Sequence, residues 1–183
     1  MCRIIIEPNS FAENPREWDN IGVMVAFHGR YSLGDEGHGI NHKDYNGWDE
    51  MEADIIRKNP GAIVIPLYLY DHGGITMNTT GFSCPWDSGQ VGFIFASAEK
   101  IREYFMVKRV TKKVRERVIT SLVNEVNTYA QYLRGEVYQY RIEGGEYDGD
   151  SVGGFYGSDP FKNGMSDNIP VELHGALKAA DII

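Results

Sequence analysis

The side chains best suited to chemistry are concentrated between Tyr68 and Phe95, where two apolar runs flank a polar stretch. The polar members of this stretch are Asp71, His72, Thr76, Asn78, Thr79, Thr80, Ser83, Cys84, Asp87, Ser88 and Gln90. So many hydrogen-bond donors and acceptors exceed what a simple hairpin turn requires. The segment therefore predicts a surface that contacts a ligand or a partner, although the residue types do not identify it.

Nucleophilic catalysis is one interpretation of this segment, because it needs a thiol or hydroxyl, a base and an orienting carboxylate. The candidates for these three roles are Cys84 or Ser88, then His72 or His28, and then Asp71, Asp87 or Asp35. The surrounding residues match neither a nucleophile elbow nor a papain-type cysteine. Pro85 also favours an extended conformation at Cys84, which removes the helix dipole that commonly lowers the pKa of a catalytic thiol. A half-buried structural cysteine beside Trp86 is the favoured alternative.

A divalent metal site is the second chemical interpretation, because four of the five histidines lie in or beside two polar loops that also contain aspartates. The candidate ligands are His28, Asp35, His38, His42, Asp71 and His72. Imidazoles and carboxylates bind a metal only where they converge on one point, which adjacent strands could arrange. His38 and His42 have helical zinc spacing, but Gly37 and Gly39 oppose a helix there. Loop histidines that make ordinary hydrogen bonds are the alternative.

Known cofactor motifs are missing from the sequence. No P-loop, GxGxxG, HExxH or CxxC pattern occurs, so no nucleotide site is predicted and the identity of any cofactor stays open. The alternating acids Glu146, Asp148 and Asp150 resemble the start of a calcium loop. However, Ser151 and Gly157 stand where such a loop needs glycine and glutamate.

Composition predicts a folded cytoplasmic protein. With 183 residues, 42% of them hydrophobic, we expect residues 1–183 to form a single domain, with residues 144–183 as its loop-rich C-terminal extension. Cys2 and Cys84 make no disulfide framework and favour a reducing compartment. The longest apolar run, residues 62–70, contains Pro66 and is too short to cross a bilayer. No membrane association is therefore expected.

Charge is distributed unevenly along the chain. The net charge is −8, but residues 100–117 contain eight basic and only two acidic side chains. Such a basic segment attracts phosphate if its cations share a face, so nucleic acid is a candidate partner. The residues that would contact it are Lys108, Arg109, Lys112, Lys113, Arg115 and Arg117. A solvated face of an amphipathic helix is the alternative, and mimicry of DNA by the acidic remainder is a third interpretation.

Hydrophobic periodicity predicts an α+β fold, with a mixed or mostly antiparallel sheet packed against two or three helices. The predicted strands are residues 3–7, 22–27, 62–70, 90–96 and 137–144, with a short strand around residues 155–156. Pro66 requires a bulge or a sheet edge in the third of them. The predicted helices are residues 48–58, capped by Asn46, residues 97–105 and the longest, residues 111–134, which ends at Gly135.

Four segments carry a resemblance to a known family: HGRYSLGD at 28–35, PLYLYDHGGITM at 66–77, FSCPWDSGQVGFIF at 82–95 and GFYG at 154–157. Over most of the chain up to about residue 160, the sequence resembles a family of small uncharacterised proteins encoded in tailed-bacteriophage and prophage genomes. The resemblance implies a viral origin and expression in the cytoplasm of a host bacterium. It implies no catalytic or binding residues.

These observations lead to a hypothesis of binding rather than catalysis. We expect a phage accessory protein that binds inside the bacterial cell, either inhibiting a host defence protein or sequestering a small ligand. The expected contact residues are His28, Arg30, Tyr31, Asp35, Asp71, His72, Ser83, Trp86, Asp87 and Gln90. Arginine, tryptophan and tyrosine are common interface anchors, and the polar members would supply specificity. The alternative is a metal-dependent hydrolase of a phosphate ester or nucleotide that uses the six candidate ligands above.

Overall fold

The computed structural model describes residues 2–183, and these form seven β-strands and four α-helices in two compact units. One unit comprises the residues up to Asn14 together with Gln131–Ile183, and the other comprises Pro15–Ala130. The strands are β1 (Arg3–Pro8), β2 (Val23–Ala26), β3 (Ile63–Asp71), β4 (Ile75–Asn78), β5 (Ser88–Ala96), β6 (Val137–Glu143) and β7 (Ser151–Tyr156). The helices are α1 (Trp48–Lys58), α2 (Ala98–Tyr104), α3 (Lys112–Leu133) and α4 (His174–Lys178).

The predicted α+β class is confirmed, and all pairings between these strands are antiparallel. The strands divide between two sheets, whereas the sequence interpretation had one. Strand β4 and helix α4 were not predicted, because each is short and has few apolar residues to mark its period. The expectation of one domain over residues 1–183 stays a prediction.

The unit of residues 15–130 is built on a four-stranded sheet in the order β2-β5-β3-β4. Successive residues of β5 point to opposite faces of this sheet. Phe93 and Phe95 pack with Met51 and Ile55 of α1 on one face. Ile94 faces the other side, where the side chains of Ile94 and Leu122 lie against Gly22 so closely that a Cβ there would be 2.6 Å from Leu122. Helices α1 and α3 therefore cover opposite faces of the sheet.

A β-bulge interrupts the pairing of β3 and β5. Leu67 pairs with Gly92 and Tyr68 pairs with Gln90, so Val91 has no partner in β3. Pro66 lies just before this irregularity, in a part of β3 that β4 does not reach. The predicted bulge or edge at Pro66 is thus observed, since a proline cannot donate to a second neighbouring strand.

Local end signals set the helix boundaries largely as predicted. The Ser97 hydroxyl accepts a hydrogen bond from the amide of Lys100 and begins α2. Thr111 Oγ1 accepts from the amide of Val114 at 3.4 Å at the start of α3, and Gly135, with a φ of 71°, ends it. The cap of α1 is a correction: Gly47 is the N-cap, and the Asn46 side chain binds Glu50 instead.

The other unit contains the three-stranded sheet β1-β6-β7. Its core combines alternate residues of these strands with C-terminal residues: Ile4, Ile6, Tyr140, Ile142, Phe155, Met165, Ile169 and Leu177. The hydroxyl of Tyr140 donates to the carbonyl of Asn168 at 2.9 Å, so this buried ring keeps its polar atom bonded. Part of the segment predicted as a loop-rich extension, residues 144–183, thus forms β7 and the cover of this sheet.

Candidate functional site

Sheet topology brings the two polar loops of the sequence together. Strands β2 and β3 are both antiparallel to β5, so they run in the same direction and end at the same side of the sheet. His28 follows the end of β2, Asp71 ends β3 and Asp87 immediately precedes β5. These residues line an open groove of about 410 Å³, called the Trp86 groove, together with Arg30, Leu69, Trp86, Ser88, Gly89 and Val91.

An ion pair occupies one side of the Trp86 groove. The Arg30 guanidinium donates a charge-assisted hydrogen bond to Oδ2 of Asp71. Nε2 of His28 lies 3.7 Å from the same carboxylate oxygen. The rings of His28 and Tyr31 stack with their centroids 4.9 Å apart, and the Arg30 guanidinium is 5.5 Å from the Tyr31 ring centre. The Asp71 carboxylate therefore contacts both Arg30 and His28, and each of these two side chains lies against the Tyr31 ring.

A second carboxylate that lines the groove, Asp87, has its own set of hydrogen-bonding partners. Its Oδ2 accepts a hydrogen bond from the thiol of Cys84 at 3.4 Å and lies 3.3 Å from Nδ1 of His72. Its backbone carbonyl accepts the amide of Asp71 at 2.8 Å. The hydroxyl of Ser88 donates to the carbonyl of Cys84. Because the thiol and the imidazole both face Asp87, the arrangement is a hydrogen-bonded loop and lacks the thiol-to-base contact of a catalytic pair.

Trp86 is the largest apolar side chain at this end of the sheet. Its side chain is 92% exposed, although the loop that carries it is bound to β3 through Asp87 and Asp71. On the opposite face of β3, the rings of Tyr70 and Phe82 pack with centroids 5.6 Å apart. The groove thus presents an exposed indole from a segment held by hydrogen bonds and aromatic packing.

Asp35, expected among the contact residues, lies in a different network. It accepts two hydrogen bonds from the buried Arg16, at 2.7 and 2.9 Å, and a third from the amide of Met24. Glu125 binds the same guanidinium at 3.0 Å and accepts the amides of Ile21 and Gly22. Through these hydrogen bonds, the Asp35 carboxylate stabilises the backbone around β2. Asp35 therefore has a structural role and does not line the Trp86 groove, and its expected contact with a partner stays a prediction.

Burial and ion pairing have opposing effects on the pKa values of Glu125 and Arg16 in this network. Burial raises the pKa of Glu125, against the opposing effect of Arg16 and the two amides. Burial by itself would lower the pKa of Arg16, but the hydrogen bonds and negative charges of Asp35 and Glu125 raise it overall. Arg16 therefore stays charged although it is buried.

The six candidate metal ligands are separated into three places. Asp35 is paired with Arg16, while His38 and His42 pack against the ring of Phe27 with centroids 5.7 and 5.5 Å away. Only His28, Asp71 and His72 lie by the Trp86 groove, and His72 faces Asp87. Within residues 2–183, no three His, Cys, Asp or Glu side chains form a group that could hold a metal ion. The six candidate ligands therefore do not converge on one point in residues 2–183, and the hydrolase alternative stays a prediction.

The remaining expected contact residues lie near the groove without lining it. Ser83 is exposed in the loop before Trp86, and Gln90 is half-buried on β5, where its side-chain amide donates to the carbonyl of Gly92 at 3.4 Å. The groove residues that were missed are Leu69, Gly89 and Val91. Leu69 and Asp71 share one face of β3, so period-two counting from Asp71 would have found Leu69.

Comparisons of the chain with protein-family models, with curated proteins and with solved structures gave no match. Among the helices of residues 2–183, none is both long and apolar enough to cross a membrane.

Proposed function

We propose that this protein is a phage accessory protein that binds a host protein inside the bacterial cell through the Trp86 groove. The viral origin and cytoplasmic setting rest on the resemblance of four sequence segments to phage-encoded proteins. Host defence proteins are the first class of partner to test, because a phage gains from inhibiting them.

The observation that carries the proposal is the exposure of Trp86 beside a charged groove. An indole left in water contributes little to folding, whereas tryptophan is among the residues that most often anchor interfaces. Exposure of 92% leaves nearly the whole ring free for a partner. The carbonyl of Asp87 fixes the backbone next to it, so less conformational entropy is lost on binding.

The charged side chains beside Trp86 would form the polar rim of the interface. Arg30 keeps 68% of its side chain exposed while it binds Asp71, so the ion pair can exchange partners with an incoming carboxylate or guanidinium. Such rim charges mainly affect association rate and specificity, and buried aromatic anchors mainly affect dissociation.

The test compares Trp86→Ala with Phe11→Ala, a matched control because Phe11 is 91% exposed. Tagged wild-type protein is used to capture host proteins, and the captured protein is then purified and its affinity measured by biolayer interferometry. We expect Trp86→Ala to weaken binding at least about thirtyfold, as for an interface hot spot, and Phe11→Ala to leave it unchanged. Equal affinities for wild-type protein and Trp86→Ala would refute the assignment of this groove.

A further inference from the structure

A second segment of the unit 15–130, residues 105–117, is rich in exposed basic side chains. The connection from α2 to α3 and the first turns of α3 expose Lys108, Arg109, Lys112, Lys113, Arg115 and Arg117. Between Phe105 and Arg117 the only acidic residue is Glu116. The protein as a whole carries a charge of −8, so this concentration of cations is a local feature and not a consequence of composition.

Packing between α3 and the end of α2 fixes the position of this basic segment. The guanidinium of Arg117 lies 4.6 Å from the centre of the Phe105 ring, at the C-cap of α2. Lys113 precedes Arg117 by four residues and so shares its face of α3. Ser121, Asn124 and Thr128 continue along the same face at helical spacing. Cations are thus followed along one helix face by uncharged hydrogen-bonding side chains.

A groove of about 330 Å³, called the Trp18 groove, lies along this polar part of α3. Ser121, Asn124 and Thr128 form one wall, and two half-exposed aromatic rings, Trp18 and Tyr104, also line it. The exposed fractions of these rings are 44% and 48%. Both rings come from outside α3: Trp18 is distant in sequence, and Tyr104 is the last residue of α2.

The carboxylates that line the Trp18 groove are already paired. Asp19 binds Nζ of Lys100 at 3.1 Å, and Glu125 binds the buried Arg16 at 3.0 Å. Lys100 offsets the charge of Asp19, while Arg16, which Glu125 shares with Asp35, and the amides of Ile21 and Gly22 offset part of the charge of Glu125. These contacts reduce the repulsion of an anionic ligand. The amide and hydroxyl groups of the wall can both donate and accept hydrogen bonds, as the edge of a nucleobase requires.

We propose that this face binds single-stranded nucleic acid. The phosphates would lie along Lys113, Arg117 and the basic connection, and one base would stack on an aromatic ring in the Trp18 groove. Cations that follow the backbone next to exposed aromatic rings are the combination by which proteins hold single strands. An acidic peptide or an anionic membrane would use the charges but has no base for the rings and amides. A duplex keeps its bases stacked, so it would use the charges alone.

The first experiment measures binding of a fluorescent oligothymidylate of about 20 nucleotides by anisotropy, at about 50 and about 200 mM salt. The test variant Lys112→Gln/Lys113→Gln is compared with Lys43→Gln/Lys178→Gln, which removes the same charge at exposed positions elsewhere. We expect at least about tenfold weaker binding for the test variant, with a shallower salt dependence, and less than about twofold for the control. Equal weakening by both pairs would overturn the assignment, as would no binding at the lower salt concentration.

The second experiment tests the aromatic part of the site. We expect Trp18→Ala to weaken binding of the oligonucleotide at least about fivefold, Trp18→Phe to restore most of it, and Phe11→Ala to have no effect. Wild-type protein should prefer the single strand to a duplex of equal length. Equal binding of the duplex, or competition by polyglutamate as effective as that of unlabelled oligonucleotide, would overturn the proposal. Neither result depends on Trp86, so this proposal and the proposed function can fail separately.

Discussion

Arg16 and Asp35 are joined by two parallel hydrogen bonds, from Nε to Oδ1 at 2.7 Å and from Nη2 to Oδ2 at 2.9 Å. The same guanidinium reaches the carbonyl of Gly22 and the carboxylate of Glu125. Asp35 also accepts the amide of Met24 in β2. This network ties the two loops that flank β2 to helix α3, so its loss would leave buried charge without a partner.

We therefore expect Asp35→Asn to lower the free energy of unfolding by about 3 kcal/mol. The three tryptophans, at positions 18, 48 and 86, all lie in the unit 15–130, so urea unfolding followed by their fluorescence reports on this unit. The neighbouring exposed Glu36 is the control, and Glu36→Gln should change stability by less than about 0.5 kcal/mol. A loss below about 1 kcal/mol for Asp35→Asn would contradict a structural role.

The second prediction concerns the close approach of β2 and β5 at Gly92. Gly92 has a φ of 158°, and a Cβ built there would lie 1.9 Å from the carbonyl oxygen of Val25. Because the obstructing atoms, the carbonyl group of Val25 and Cα of Ala26, belong to the backbone, Gly92→Ala should destabilise the sheet by more than about 3 kcal/mol. Gly89 is in the same strand with nothing within 4 Å of a Cβ, so Gly89→Ala should be near neutral. Similar unfolding midpoints for the two variants would show that β2 and β5 are not held this closely.

The third prediction compares two helix ends with the same geometry. At α3, the amides of Gly135 and Glu136 bind the carbonyls of Tyr132 and Gln131. At α2, the amides of Met106 and Val107 bind those of Glu103 and Arg102, and Met106 has a φ of 51°. Both ends are Schellman turns, in which glycine normally occupies the left-handed position.

Since Met106 is 91% exposed, its side chain contributes little packing to offset the strained backbone. We expect Met106→Gly to raise the free energy of unfolding by about 0.5–1 kcal/mol and Met106→Ala to leave it nearly unchanged. Gly135→Ala should lower it by about 1 kcal/mol. Circular dichroism at increasing urea concentrations measures all three variants. Destabilisation by Met106→Gly would mean that the Met106 side chain is needed for stability.

The fourth prediction is a pH dependence centred on Asp54 in α1. Hydrogen bonds from Lys58, Tyr45 and Arg57 lower the pKa of Asp54 well below its usual value. A carboxylate with a lowered folded-state pKa stabilises the protein above its unfolded-state pKa of about 3.9, and this contribution is lost as the pH falls through the lower, folded-state pKa. The stability difference between wild-type protein and Asp54→Asn should thus be constant from pH 7 to about pH 5 and shrink below about pH 4.

Fluorescence-detected unfolding of both proteins at these pH values checks the Asp54 prediction. The exposed Asp44 next to α1 provides the comparison, and Asp44→Asn should differ little from wild-type protein throughout. A difference for Asp54→Asn that does not vary with pH would argue against ionisation of Asp54 as its source.

The sequence by itself determined the local structure of this protein, and the tertiary structure decided which residues share a site. Helices α1, α2 and α3 could be predicted because their apolar period and end signals, such as Ser97, Thr111 and Gly135, act within a few residues of chain. The convergence of His28 with Asp71 could be suspected from their loops but depends on the strand order β2-β5-β3.

The partner of Asp35 could not be predicted from its local sequence either. Its loop, rich in glycine and histidine, resembled the others, but its carboxylate binds Arg16 and supports β2. Similarly, Trp18 and Tyr104 join the polar face of α3 only in the folded chain. Hydrogen bonds and charges act over a few ångströms in space, regardless of separation in sequence, so the roles of these side chains depend on packing that no local pattern encodes.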